Sequence, residues 1–257
     1  MNDDIEARKR RRGIYLLPNL FTTAGLFAGF YAIVAATKTH FDAAAIAMYV
    51  AMIMDSLDGR IARLTNTQSD FGKEYDSLSD MVAFGLAPAL VIYQWALLGL
   101  GKLGWLAAFI YTAGAALRLA RFNVQHAVAD KRYFRGLASP AAAGVLGGMV
   151  WVGDDYGLRD SPGIAVSVAI VTVTVALLMV SNIRYRSFKD MDLRNRVPFV
   201  AVLLLVLTFA FVSIDPSKVL FVLFFGYAVS GPVNTLLFLR KRKQILQRRR
   251  QRPRESQ

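Results

Sequence analysis

Long apolar runs alternate with short polar breaks along nearly the whole chain. Eight runs are read, at 16–36, 43–63, 77–99, 103–121, 138–153, 163–182, 197–213 and 217–239. Several approach the roughly 20 residues that a helix needs to cross a bilayer. Clusters of Gly, Pro, Asn and Asp punctuate them, as in "GDDYGLRDSPG" at 153–163 and "DPSK" at 215–218. The pattern predicts an all-α polytopic membrane bundle of about eight transmembrane helices. The first run is too long for the apolar core of a signal peptide and lacks a clear small-residue cleavage site, so no cleavable leader is expected.

Composition agrees with this picture. Of the 257 residues, 55% are hydrophobic and only 19% are charged, too apolar a balance for an ordinary soluble domain. The net charge of +13 would suggest nucleic acid in a soluble protein. Its distribution points elsewhere. With the N-terminus inside, 27 of the 31 Lys and Arg residues fall in segments on one side of the eight-span layout. Only Lys38, Lys102, Arg159 and Lys218 fall on the other. Basic residues gather in cytoplasmic loops, so both termini are expected in the cytoplasm and no nucleic-acid partner is expected. The chain then divides into a basic segment at 1–15, a transmembrane domain at 16–239 and a basic tail at 240–257. "RKRRR" at 8–12 and "RRRQRPR" at 248–254 serve as orientation signals and also suit anionic membrane lipids. "GLFAG" at 25–29 and "GVLGG" at 144–148 fit the spacing of small residues that lets helices pack closely.

One polar stretch interrupts the apolar pattern with unusual content: "DSLDGRIARLTNTQSDFGKEYDSLSD" at 55–80. At about 100° per residue, Asp58, Gly59 and Ala62 fall within about 60° of Asp55. Gly72, Asp76 and Asp80 follow at spacings of four on the next helix. A short loop joins the two helices, so their acidic faces can turn toward each other. Asp55 lies about eight residues inside its span, roughly 12 Å by helix rise. Intramembrane carboxylates are functional suspects by default. Four of them converging without cations would repel one another. With no cysteine and two distant histidines, His40 and His126, any metal must take oxygen ligands, which favours Mg²⁺, Mn²⁺ or Ca²⁺ over zinc. Gly59, Ala62 and Gly72 leave room for a bulky anion beside the metals, and Arg60 and Arg63 could hold phosphate oxygens.

The stretch fits D-x-x-D-G-x-x-A-R-x8-G-x-x-x-D-x-x-x-D at all eight specified positions. It resembles the CDP-alcohol phosphatidyltransferases. The resemblance implies a pair of metal ions, Mg²⁺ or Mn²⁺, held by Asp55, Asp58, Asp76 and Asp80. Asp55 and Asp76 would bridge both ions, and Asp58 would complete one site. Asp80 would complete the other and act as general base. Gly59, Arg63 and Ser69 would contact the CDP-diacylglycerol. Upstream, "PNLFT" at 18–22 is similar to a nucleotide-binding segment of the family, which adds Asn19 and Thr22; Pro18 in the first turn of a helix is the structural alternative.

Flanking text resembles the phosphatidylserine synthase branch over about residues 15–150, in "NLFTTAGLFAGF", "FGLAPALVIY", "LARFN" and "YFRGLASPAAAG". Ala138 departs from it, where Pro is expected. The branch implies L-serine as acceptor. Its carboxylate needs a cation, for which Arg118, Arg121 and Arg135 are candidates, with Asn123 and Ser139 beside them. A homodimer is a further expectation of the resemblance. Glycerol 3-phosphate is the rival acceptor, and a cation transporter is the rival of another class.

Overall fold

The computed structural model describes residues 2–125, 133–161, 163–186 and 199–251. Each of the eight predicted stretches contains a helix. These are α1 (Asn2–Thr37), α2 (Phe41–Leu64), a composite run from α3 (Asp70–Asp80) through α4 (Ala87–Ile92) to Leu100, α5 (Lys102–Gln125), α6 (Ser139–Asp155), α7 (Ile164–Val180), α8 (Phe199–Ile214) and α9 (Pro216–Gln251). Among the described residues, Leu17–Thr37, Asp70–Leu100, Lys102–Val124 and Pro216–Phe238 are long and apolar enough to cross a membrane. Two three-residue strands supplement the helices: β1 (Tyr133–Arg135) pairs antiparallel with β2 (Arg184–Arg186).

Several helix ends depart from expectation. Pro18 does not open the first helix; α1 begins at Asn2 and carries Pro18 in its interior. The third run starts at Asp70, seven residues before the predicted 77. The cause is local. Ser69 Oγ accepts a hydrogen bond from Gly72 N at 3.0 Å, which caps the first turn, and Asp70 suits the positive helix start. The same run is not a uniform α-helix. Wider π turns at Met81–Leu86 and Tyr93–Leu97 flank α4, and Pro88 lies in the first turn of α4.

The core is made largely of small side chains. Ala28, Ala32, Ala35 and Ala36 of α1 pack with Ala44, Ala47 and Ala51 of α2. Helices in lipid associate by such close packing rather than by water exclusion. Both small-residue motifs are used inside the bundle. A Cβ on Gly29 would lie 2.7 Å from Ala83 Cα, and one on Gly148 would lie 2.8 Å from Phe221 Cα. Only hydrogen fits at either place. α1 therefore sits directly on the π turn after α3, and α6 sits directly on α9. Further packing joins α2 to α6 and α5 to α7, while α8 packs on α9. The Tyr49 hydroxyl donates to the Gly144 carbonyl at 2.9 Å and links α2 to α6.

Candidate active site

The site forms where α2 ends and α3 begins. α2 stops at Leu64, and Asn66 takes a left-handed φ of 52°, a conformation that Asn tolerates. The Ser69 cap then restarts the helix. The chain thus doubles back over five residues, 65–69, and α2 and α3 present their carboxylates to one another. One carboxylate oxygen from each of Asp55, Asp76 and Asp80 lies within 4.8 Å of the other two. Oxygens bound to one hard divalent cation at about 2.1–2.4 Å lie at most about 4.2–4.8 Å apart. The all-oxygen donor set and its spacing therefore fit such an ion. Without a cation, three like charges this close repel strongly in a low-dielectric setting.

Asp58 stands outside that trio but lines the same pocket, with Thr22. It is 5% exposed. Its Oδ2 accepts a 2.8 Å hydrogen bond from Thr22 Oγ1. Thr22 thus meets the acidic centre itself, across α1 and α2. Ser79, buried on α3, donates to the Thr22 carbonyl at 3.0 Å. Tyr75 and Thr23 hydroxyls meet at 2.9 Å. These contacts fasten α1 to α3 beside the carboxylates. The "PNLFT" segment signalled Thr22; nothing in the pattern signalled Ser79, Thr23 or Tyr75.

The proposed nucleotide contacts gather at the same end. Gly59 faces open space, with nothing within 4 Å of where a Cβ would sit. Arg63 Nε donates to the Gly59 carbonyl at 2.8 Å and is exposed. Ala62 is half-buried on the same helix. A Cβ on Gly72 would come 3.1 Å from Ser69 Oγ and 3.5 Å from Asn19 Oδ1, so Asn19, Ser69 and Gly72 adjoin.

The five serine-contact candidates divide. Arg118 of α5 donates through Nε to the Leu137 carbonyl and through a terminal nitrogen to Ser139 Oγ at 3.3 Å. It lies within electrostatic reach of Asp80. Ser139 is fully buried. Arg121 reaches instead the end of α7, donating to the Val180 carbonyl at 3.2 Å and to Asn182 Oδ1. A cation there neutralises the negative helix end, so this side chain has a structural use that spacing did not reveal. Asn123 Nδ2 donates to Ser77 Oγ at 2.9 Å, one residue from Asp76. Arg135 falls in β1, and its side chain lies outside the described residues.

Comparison with known proteins adds to this geometry. A family model described as CDP-alcohol phosphatidyltransferase matches residues 15–180. A curated CDP-diacylglycerol–serine O-phosphatidyltransferase of Helicobacter pylori is 35% identical over 228 residues, covering 89% of this chain and 94% of that protein. One from Mycobacterium leprae is 30% identical over 229 residues, covering 87% of this chain and 76% of the other. An archaetidylserine synthase of Methanothermobacter thermautotrophicus is 33% identical over 187 residues, 72% of this chain and 73% of that protein.

Proposed function

The chain belongs to the CDP-alcohol phosphatidyltransferase family, and on that premise we propose that it transfers the phosphatidyl group of CDP-diacylglycerol to L-serine, giving phosphatidylserine and CMP. The observation that carries this reading is the convergence of Asp55, Asp76 and Asp80 on one point between two helices. The acceptor is supported by the names of the relatives and by the extent of their similarity.

The protein is integral to the membrane. In the proposed layout eight helices span it, both termini face the cytoplasm, and the site opens on that side. The 27-to-4 division of basic residues supports this orientation. Acyl chains then stay in the lipid while the cytidine extends into water past Gly59, Ala62, Gly72, Asn19, Ser69 and Arg63.

Asp55, Asp58, Asp76 and Asp80 would hold Mg²⁺ or Mn²⁺, in one or two copies. Such an ion, when bound, supplies positive charge against the pyrophosphate oxygens. The serine hydroxyl oxygen forms a bond to the phosphorus nearest the diacylglycerol. The bond from that phosphorus to the bridging oxygen breaks, and CMP leaves with the electron pair. Asp80 takes the hydroxyl proton. Asp58 is oriented by the Thr22 hydroxyl, and Arg118 offers its guanidinium to the serine carboxylate.

The direct test supplies the purified protein with CDP-diacylglycerol, a divalent cation and a panel of alcohols, following CMP and lipid product. Serine should be the efficient acceptor. If glycerol 3-phosphate takes its place, the acceptor assignment fails and the family chemistry stands. Ion flux into liposomes with no CMP release from any alcohol would favour a transporter.

A further inference from the structure

Pro88 lies at the start of α4, directly after the π turn that follows Asp80. A proline has no N–H, so the carbonyl one helical turn before it loses its usual donor. By the α spacing that α4 takes up, that carbonyl belongs to Phe84, which is 1% exposed and also lines the acidic pocket. A buried carbonyl left without a donor is costly. The structure supplies a replacement from another helix. The Tyr111 hydroxyl of α5, itself fully buried, donates to the Phe84 carbonyl at 3.1 Å.

The opposite flank of the same π turn is also fixed. Gly29 of α1 abuts Ala83 so closely that no Cβ fits between them. The turn Met81–Leu86 is therefore held between α1, through Gly29, and α5, through Tyr111. Asp80 is the residue immediately before it. A helix can shift or rewind at a π turn, because each inserted residue changes the phase of everything beyond it. Asp76 and Asp80 share one face of α3, and the phase of that helix relative to the elements holding the turn decides whether the pair faces Asp55 of α2.

We infer that Tyr111 is a positioning residue for the carboxylate centre: its hydroxyl replaces the donor missing at Pro88, locks the π turn, and so keeps the α3 pair Asp76 and Asp80 facing Asp55 of α2. The inference rests on the proposed metal-binding role of those aspartates and extends it to a side chain whose hydroxyl is bonded to the Phe84 carbonyl.

The test uses the full chain in detergent, with Mn²⁺ binding followed by electron paramagnetic resonance alongside turnover. Tyr111→Phe keeps the ring and removes only the donor. It should weaken Mn²⁺ binding about tenfold and lower kcat, with KM for CDP-diacylglycerol within about twofold of the parent. The decisive variant adds Pro88→Ala to Tyr111→Phe. The new backbone N–H can serve the Phe84 carbonyl, so Mn²⁺ binding and kcat should recover toward the parent. A Tyr111→Phe variant that binds Mn²⁺ as the parent does overturns the inference. So does a double variant that binds no better than Tyr111→Phe, including the case where both simply lose their fold. If the parent itself binds no Mn²⁺, the metal reading beneath falls, and the positioning role falls with it.

Discussion

At the start of α9, carboxylates meet donors. Asp215 pairs with the Lys218 ammonium at 2.6 Å and accepts from Lys218 N at 3.2 Å, capping the helix. Ser217 Oγ donates to Asp155 Oδ2 at 2.6 Å. At the junction of α2 and α3, Asp55, Asp76 and Asp80 meet chiefly one another. Among the described residues, neither Asp76 nor Asp80 is in an ion pair. The two regions share a residue type and differ in company. Where each carboxylate has its own donor, the group stabilises a helix end. Where three converge, their mutual repulsion favours a cation supplied from outside the chain. Acidic residues in a membrane protein are thus sorted by their partners, rather than by their presence.

Breaking the convergent set should have the largest effect. Asp76→Asn or Asp55→Asn should reduce CMP release to background with the bundle still folded, since amides keep the shape and lose the charge. Turnover near the parent rate in either variant, assayed with saturating metal, would remove that residue from the centre.

Next in size is the acceptor contact. Loss of a charge-assisted hydrogen bond costs about 1.5–3 kcal/mol, or roughly 10- to 150-fold in apparent affinity if KM tracks binding. Arg118→Gln should raise KM for serine by that order and leave KM for CDP-diacylglycerol nearly unchanged. Arg121→Gln should move serine KM by less than about twofold, because its guanidinium is held at the end of α7. Equal effects from both arginines would undo the distinction between them.

Gly59→Leu places a side chain in the open space on the acidic face. KM for CDP-diacylglycerol should rise about tenfold or more, the equivalent of at least about 1.4 kcal/mol. An unchanged value would show that the lipid nucleotide approaches elsewhere. The smallest effect belongs to the other region. Asp215→Ala should lower the melting midpoint slightly through the lost cap and leave turnover within about twofold. A large loss of activity there would mean that the two sets of carboxylates are not separate in function.

The acidic centre was legible because its determinants are local. Asp55 and Asp58 share one helix face by spacing alone, as do Asp76 and Asp80, and a short polar loop must bring the faces together. Helix positions were legible for the same reason, since Gly, Pro and Asn clusters break apolar runs. The phase of the third run was not legible. Its apolar residues surround the helix, so nothing in hydropathy marks the π turns. Pro88 was visible, but which hydroxyl would answer the Phe84 carbonyl depends on where α5 packs. The contacts of Arg121 were hidden in the same way: an arginine in an inside loop suits an anionic substrate and a helix end equally well, and only the fold places the end of α7 beside it. Thr22 was singled out as a nucleotide contact, yet its hydroxyl meets Asp58, a pairing that only the crossing of α1 and α2 creates.

The central claim is that the α2–α3 carboxylates operate a cation-dependent transfer to serine. The most direct measurement follows CMP and phosphatidylserine from the purified protein with CDP-diacylglycerol and serine, first after exhaustive chelation and then with Mg²⁺ or Mn²⁺ restored. Both products should be absent under chelation and return together as the cation is added, and Asp76→Asn should not respond to the addition. Full turnover in chelator, or a parent-like cation response in Asp76→Asn, would contradict the account.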